Sequence, residues 1–497
     1  MKTPKPINLS IPELNLSCEA REGETVLSVL IRQGVTVSAP CGGRGLCGKC
    51  GVTLVEGAVG GIVPDSGGRF PACRALIRED IAISIDAAGE LVNETTAGRK
   101  PPGTAKKVPR LGAAVDIGTT TISAECIDLD TGESLGLVSR INDQQVFGAD
   151  VMNRINAAQN GKTGELFALV NKQTGRLLRF FAEQYGLSDR VEKCAVTGNT
   201  TMLHLFANIN PSGMGAVPFT PVFLEQREYR GEELSLPAAE LTLLPGISAF
   251  VGSDITSGLA FLDILEKKDK SLFIDIGTNG EMALWSGGKL RCCSTAAGPA
   301  FEGAEISCGI GGIPGAVNRV ALENGKIVCD TIGGIPPRGI CGAGLVDALA
   351  LMLETEVIDE TGAMAEEYGG VFPLTDGVSL GGRDVRQYQL AKSAIASGIE
   401  LLCKSAGENP DGLDTIYIAG GFGFFINLEN AVKTKLLPES FLGKTAVCGN
   451  LSLKGAVKSL VSTDFASRCR GIIAQCEILE LASERGFTEA FAENMYF

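Results

Sequence analysis

Four cysteines constrain this chain more than any other feature. Cys41, Cys47, Cys50 and Cys73 are separated by five, two and twenty-two residues, and the first three share one glycine-rich run, Cys41-Gly-Gly-Arg-Gly-Leu-Cys47-Gly-Lys-Cys50. Three thiolates from one loop and a fourth from a distant element is the ligand layout of a 2Fe–2S ferredoxin site. Gly42, Gly43, Gly45 and Gly48 let such a loop take positive φ angles and aim bare amides at the sulfurs, which tunes the potential. A zinc ribbon pairs two Cys-x-x-Cys knuckles, and this region has one. A Rieske centre needs two histidines, and the chain has only His204. One-electron transfer is therefore the starting expectation.

The remaining twelve cysteines, Cys308 and Cys341 among them, show no second metal spacing and read as small buried hydrophobes in a reducing compartment. A second cluster shared across a dimer interface through Cys308 or Cys341 is the alternative. A net charge of −14 disfavours sequence-independent binding to nucleic acid or anionic membranes. No apolar run reaches the roughly 18 residues of a membrane span. Met1 to Ser10 lacks the apolar core of a signal segment, so a cytoplasmic location is expected.

At 497 residues the chain is long enough for several domains. Residues 1–92 alternate short strands with one helix. Strands are expected over Ile7–Leu16 (with a turn), Gly51–Glu56 and Ile81–Ile85, and a helix over Thr25–Gly34. Residues 93–110, rich in proline, glycine and basic charge, read as a linker that would span about 25 Å as a flexible coil. From 111 onward strands alternate with helices, the α/β pattern.

A weak internal repeat runs through this part. Ala113-Ala-Val-Asp116-Ile-Gly118-Thr119-Thr120-Thr121 returns in form as Leu272-Phe-Ile-Asp275-Ile-Gly277-Thr278-Asn279-Gly280-Glu281. In each copy an apolar strand ends in Asp, turns through Gly-Thr and re-enters a strand. Two similar lobes follow, expected at 111–268 and 269–497. An Asp at a strand end suits a hydrated Mg2+, and the turn offers amides and hydroxyls to phosphate. Two such hairpins face to face would clamp a triphosphate. A third element, the strand Ile416–Ala419 running into Gly420-Gly421-Phe422-Gly423, would lie flat against an adenosine. Gly161-Lys162-Thr163 and Gly443-Lys444-Thr445 lack the upstream glycine of a P-loop, and no dinucleotide fingerprint is present. Asp254 orients an attacking water or, with Ser253, caps the helix expected at Ile255–Leu265 after a strand-like Ile247–Val251. Glu281 contacts metal or water, or is an exposed strand residue. His204, in an apolar stretch, reads as a satisfied core histidine.

The two hairpins and the glycine turn together resemble the superfamily of acetate kinases, sugar kinases, heat-shock chaperones and actin, over residues 111–497. A ferredoxin domain joined to such an ATPase resembles the reductive activators of corrinoid enzymes. Further strings carry that resemblance: Asn142-Asp-Gln144, Phe147-Gly-Ala-Asp150, Thr197-Gly-Asn-Thr-Thr201, Ala297-Gly-Pro-Ala-Phe-Glu-Gly303, Gly339-Ile-Cys-Gly-Ala-Gly344 and Arg383-Asp-Val-Arg386. It implies a β-grasp ferredoxin-like domain followed by a two-lobed actin- and sugar-kinase-like (ribonuclease H-like) ATPase. It also implies ATP-dependent transfer of one electron from the cluster to Co(II) of a corrinoid protein in a methyltransferase system, an external electron donor, and a homodimer. An ATP-driven donor to another low-potential enzyme, such as a hydroxyacyl-CoA dehydratase, is the redox alternative. A redox-sensing small-molecule kinase and a chaperone-like module are the others.

Overall fold

The computed structural model describes residues 7–14, 16–33, 35, 37, 39, 43–45, 48–85, 109–186, 190–421 and 426–497. Cys41, Gly42, Cys47, Phe422, Gly423 and residues 93–108 of the expected linker lie outside the described residues.

Period-two burial builds the first sheet. Strands β1 (Ile7–Ile11) and β2 (Leu16–Ala20) pair antiparallel and bury Leu9, Ile11, Cys18 and Ala20 on one face. The single strand expected over Ile7–Leu16 is thus two, because the chain reverses at Pro12–Leu14. Helix α1 (Val26–Arg32) begins where the Thr25 hydroxyl accepts the Ser28 amide, and Val26, Leu27, Val29 and Leu30 form its buried stripe. Strands β3 (Gly51–Glu56), β4 (Val59–Gly60), β5 (Arg69–Pro71), β6 (Leu76–Ile77) and β7 (Ile81–Ser84) complete the unit. The main sheet runs β2-β1-β7-β3-β5 with β1 and β7 parallel, and β4 pairs with β6. The helix packs with Val52, Phe70 and Ile83 in one core. This is the β-grasp arrangement.

Next come β8 (Leu111–Ile117), β9 (Thr121–Asp128), β10 (Ser134–Ile141), helices α2 (Val151–Ala157) and α3 (Thr163–Gln184), β11 (Val191–Gly198), α4 (Thr200–Phe206), β12 (Arg227–Arg230), β13 (Ala238–Leu243) and α5 (Ser253–Phe261). Their sheet has the order β10-β9-β8-β11-β13-β12, with β8, β11 and β13 parallel. Ile247–Val251 is not a strand. It is a tight turn in which the Ile247 and Ser248 amides both donate to the Val251 carbonyl.

The pattern then repeats. The chain forms β14 (Ser271–Ile276), β15 (Gly280–Ser286), β16 (Lys289–Thr295), β17 (Ala316–Glu323), β18 (Lys326–Thr331), β19 (Gly339–Ile340), α6 (Gly342–Glu354), β20 (Val371–Thr375), β21 (Val378–Gly381) and α7 (Gly382–Ser405). It ends with β22 (Thr415–Ala419), α8 (Leu428–Lys433), β23 (Thr445–Gly449), α9 (Leu451–Val461), α10 (Phe465–Gln475), β24 (Cys476–Ile478) and α11 (Phe487–Glu493). The second sheet runs β23-β22-β14-β15-β16-β24. Strands β16-β15-β14-β22-β23 thus reproduce β10-β9-β8-β11-β13, and a helix, α9 or α5, follows the last strand of each set. Helices α5 and α9 pack on one another. One buried layer joins Ala114, Ala195 and Leu259 of the first half to Phe273, Leu451 and Phe465 of the second. No helix among the described residues is long and apolar enough to cross a membrane.

Candidate functional site

The topology puts the two Asp-Gly-Thr turns at matching corners of the two sheets. In the first, the Gly118 amide donates to the Thr121 carbonyl at 2.9 Å; in the second, the Gly277 amide donates to the Asn279 carbonyl at 2.9 Å. The turns meet on one side chain. The Thr120 and Thr278 hydroxyls both donate to the same Glu302 carboxylate oxygen, each at 2.5 Å. The two hairpins therefore face each other across a narrow cleft.

The first turn is braced from behind. The Asn142 side-chain amide donates to the Gly118 carbonyl at 2.9 Å, and the Asn142 backbone amide to the Thr120 carbonyl at 2.7 Å. The fully buried Arg154 guanidinium donates to the Thr119 carbonyl, and also to Gly148 O at 3.1 Å. With all three carbonyls of Gly118–Thr120 engaged, the amides of Thr119 and Thr120 have no acceptor among the described residues. That is the polarity an anion needs. Burial lowers the Arg154 pKa to about 9, against opposing help from Asp150 and Glu302. Asn199 adds a further brace: its side chain caps α4 through Met202 N and donates to Thr119 Oγ1 at 3.0 Å.

Acidic groups line the cleft. Asp116 ends β8 and accepts from Asn450 Nδ2 at 2.7 Å and Ser452 Oγ at 3.0 Å, both at the start of α9. Burial raises its pKa to about 6, against the pull of those two donors. Asp275 is the matching residue of β14, and its carboxyl has no hydrogen-bond partner among the described residues; burial, then Asp254, Asp116 and Glu302, push its pKa up to about 8. Glu281 sits opposite Asp275 in the β14–β15 register, so both project from one face. Glu281 is 7% exposed, which overturns its reading as an exposed strand residue, and its carboxyl is held well above the usual range by burial and by Asp254 and Asp275. Asp254 is raised to about 7 by burial and the neighbouring Asp116. It does not cap α5: Gly252 holds the N-cap position without a side-chain bond, Asp254 accepts from the adjacent Ile255 N and its own amide, and Ser253 exchanges bonds with Gly198. Carboxyls crowded and buried in this way repel one another as anions, which a dication with its water shell would relieve. Among the described residues no three acidic, thiol or imidazole groups are placed to cage a bare metal ion.

The expected glycine turn abuts this cluster. β22 pairs Ala419 with Asp275, and a Cβ on Gly420 would lie 2.6 Å from Asp275 Oδ1 with φ at +93°. Only glycine fits there. Gly421 is exposed and unobstructed.

In the first domain Cys50 is buried just before β3, and Cys73 is half-buried just after β5. The antiparallel β3–β5 pair and the Ala72 N to Cys50 O bond of 2.8 Å bring their backbones together. Gly43, at φ +75°, lies so close that its Cβ would fall 3.9 Å from Cys73 Cβ. The glycine loop thus returns to the distant cysteine, which fits a cluster. Of the other cysteines, Cys308 and Cys341 donate to Ser379 O and Val317 O, and eight of the twelve are buried. His204 is fully buried and satisfied, as expected.

Sequence reasoning missed Asn142, Arg154, Asn199, Glu302, Asn450 and Ser452 as site residues. A signal existed for four: Asn142, Asn199 and Glu302 fall within motif strings already singled out, and Gly-Asn after an apolar strand occurs both at 198–199 and at 449–450. Arg154 and Ser452 carry no such mark.

A ferredoxin-type β-grasp domain joined to a duplicated, actin- and sugar-kinase-like α/β core defines the class. Residues 11–78 match the 2Fe-2S iron-sulfur cluster binding domain, residues 111–267 the RACo middle region, and residues 269–497 the C-terminal domain of RACo, the ASKHA domain. The chain is 32% identical to the corrinoid activation enzyme RamQ of Eubacterium limosum over 427 residues, 80% of this chain and 72% of that protein. It is 27% identical to the [Co(II) methylated amine-specific corrinoid protein] reductase of Methanosarcina barkeri over 377 residues, 69% of this chain and 68% of that protein. The solved structure of a reductive activator for corrinoid, iron-sulfur protein superposes with a TM-score of 0.73 at 26% identity, covering 99% of this chain and 98% of that one. The chain belongs to the RACo family of corrinoid-protein reductive activators.

Proposed function

We propose that this protein uses ATP to drive one-electron reduction of Co(II) to Co(I) on a corrinoid protein of a methyltransferase system. The observation that carries the reading is the meeting of Thr120 and Thr278 on one carboxylate, which sets two phosphate-type turns face to face in a chain that also bears a cluster fold. Cys41, Cys47, Cys50 and Cys73 hold a 2Fe–2S cluster. When bound, it supplies a one-electron couple, refilled by an external donor. Thr119 and Thr120, with Gly118, and Thr278 and Asn279, with Gly277, bind phosphate oxygens from the two sides. Asp116, Asp275 and Glu281 position hydrated Mg2+; Asp254 orients the attacking water. Gly420, Gly421 and Gly423 leave space for the adenosine. Reducing Co(II) is uphill for a ferredoxin-type donor, and each roughly 60 mV costs a factor of ten in a one-electron equilibrium. ATP can supply that only if it binds the competent and resting states differently.

The test is direct. Reduced protein is mixed with a Co(II) corrinoid protein, with and without ATP, and the Co(I) absorption band is followed. Co(I) is expected only with nucleotide. Cys47→Ser should abolish reduction while nucleotide still binds, and Asp116→Ala should keep the cluster spectrum while losing the ATP response. Equal Co(I) without ATP, or ATP spent on phosphorylating a small acceptor, would remove the reading.

A further inference from the structure

Among the described residues, the cluster loop reaches the neighbourhood of the two hairpins through Lys49. Lys49, between two cluster cysteines, donates its ammonium to the Gly303 carbonyl at 2.7 Å and the Gly309 carbonyl at 3.2 Å. Gly303 directly follows Glu302, the carboxylate that both hairpins grip. Residues 299–304 form a compact turn, with Glu302 N and Ala304 N both donating to Pro299 O and Gly303 N to Ala300 O. Gly303 and Gly309 lie backbone to backbone: a Cβ on Gly309 would fall 2.3 Å from Gly303 O, and one on Gly303 2.5 Å from Ile310 N. That contact is what aims two carbonyls at one ammonium.

The two halves of this clasp are tied to different parts of the fold. Gly309 is fixed, because Ile340 N donates to Cys308 O and Ile310 N to Ile340 O, both at 2.9 Å. Asp384 also ties down Ser307 through its amide at 2.7 Å and its hydroxyl at 2.8 Å. Gly303 is held by its own turn and by the neighbouring Phe301, buried edge-on against Tyr388; among the described residues that turn reaches the hairpins through the Glu302 side chain. A triphosphate held by the same threonines would need their hydroxyls and would repel the carboxylate between them.

We infer that Glu302 is a built-in competitor for the nucleotide's phosphate sites, and that its displacement shifts Gly303, opens the two-carbonyl clasp on Lys49 and frees the cluster domain. The inference rests on the nucleotide reading above and adds the route by which nucleotide reaches the cluster domain. Coupling is reciprocal: if nucleotide releases the domain, the docked domain weakens nucleotide binding by the same factor. Lys49 lies on the cluster domain and on neither hairpin, so a change in nucleotide affinity on its replacement reports the docking of that domain.

The full chain, with its cluster reconstituted, is titrated with Mg-AMPPNP as wild type, Lys49→Met and Glu302→Ala. Hydrogen exchange is followed in peptides covering 43–50 and 299–304. In wild type, AMPPNP should raise exchange in both peptides. Lys49→Met should show that exchange without nucleotide and bind AMPPNP roughly 5- to 100-fold more tightly, the usual span of coupling factors. Glu302→Ala should also bind more tightly. AMPPNP affinity within about twofold of wild type in Lys49→Met would overturn the relay, as would weaker binding in Glu302→Ala, which would make Glu302 a binding group. Failure of wild type to bind AMPPNP at all would instead strike the nucleotide reading itself, and the relay with it.

Discussion

At the scale of single residues, His204 shows how packing settles chemistry. Its Nδ1–H donates to Thr200 O at 2.7 Å, its Nε2 accepts Val222 N at 3.0 Å, and the ring stacks on Phe223 with centroids 4.4 Å apart. The neutral ring is the only form that accepts at Nε2. Burial, reinforced by Arg227, drops its pKa from 6.5 to about 4. The unfolded chain therefore binds an extra proton between about pH 4 and 6.5, so stability is fully present above that window and lost as pH falls through it. The full loss at the acid end is on the order of 3 kcal/mol by linkage. Because it is the chain's one histidine, a single imidazole C–H resonance should stay at its neutral shift down to pH ~5. His204→Gln should flatten the dependence of melting temperature on pH across the window. A resonance titrating near 6.5 would contradict the buried neutral ring.

Among the elements, the first hairpin depends on parts distant in sequence. Asn142 holds Gly118 O and Thr120 O from the end of β10, and Arg154 holds Thr119 O from α2. Asn142→Ala should leave the Gly118 carbonyl without its side-chain donor and cost about 1–3 kcal/mol, the penalty of a buried orphaned group. It should also weaken nucleotide binding by roughly tenfold while the cluster spectrum is unchanged, which calorimetric titration with Mg-AMPPNP would measure. Unaltered affinity would mean the turn keeps its shape without the brace. The strands flanking both turns were legible because alternation and the recurring Asp-x-Gly-Thr are local patterns. β3 over Gly51–Glu56 appears as expected for the same reason. Of the braces, Asn142 and Asn199 fall inside noted motif strings, whereas Arg154 carries no mark, and only the fold reveals that α2 turns it under the hairpin. Likewise Ile247–Val251 has the residues of a strand, yet no neighbouring strand pairs with it in the sheet, so it closes on itself as a turn. Asp254 looked like a helix cap because caps are local, whereas the burial and the Asp116 charge that raise its pKa come from the tertiary fold.

For the whole molecule, the crossing of α5 and α9 joins the two halves in one buried layer. Gly455 on α9 meets the backbone of α5 so closely that a Cβ would lie 2.3 Å from Ser257 O, and Gly258 on α5 lies against Leu451 and Phe273. Around it Thr197, Ser253, Ser257 and Ser452 form a buried knot of hydroxyls, with Thr197 Oγ1 within 3.1–3.3 Å of the other three. Ser452 and Asn450 reach from this helix to Asp116, so the angle of α9 sets the geometry of an acid on the other sheet. Small residues at a crossing permit backbone contact, and a side chain there must wedge the helices apart because a packed layer has no spare volume. Gly455→Val should therefore separate α9 from α5, withdraw both donors from Asp116 and uncouple the halves. Each half keeps its own hydrophobic core, Leu177 and Phe181 in the first and Val346 and Leu402 in the second, so the chain should remain folded, at a cost of about 1–3 kcal/mol. ATP hydrolysis should fall at least tenfold, and the reduced cluster should stop responding to nucleotide in the Co(I) assay. The 2Fe–2S spectrum should persist, since β3 and β5 belong to a different sheet and a different core from this crossing. Wild-type hydrolysis in Gly455→Val, with far-ultraviolet dichroism unchanged, would show that the halves work without a close crossing and that closure is governed elsewhere.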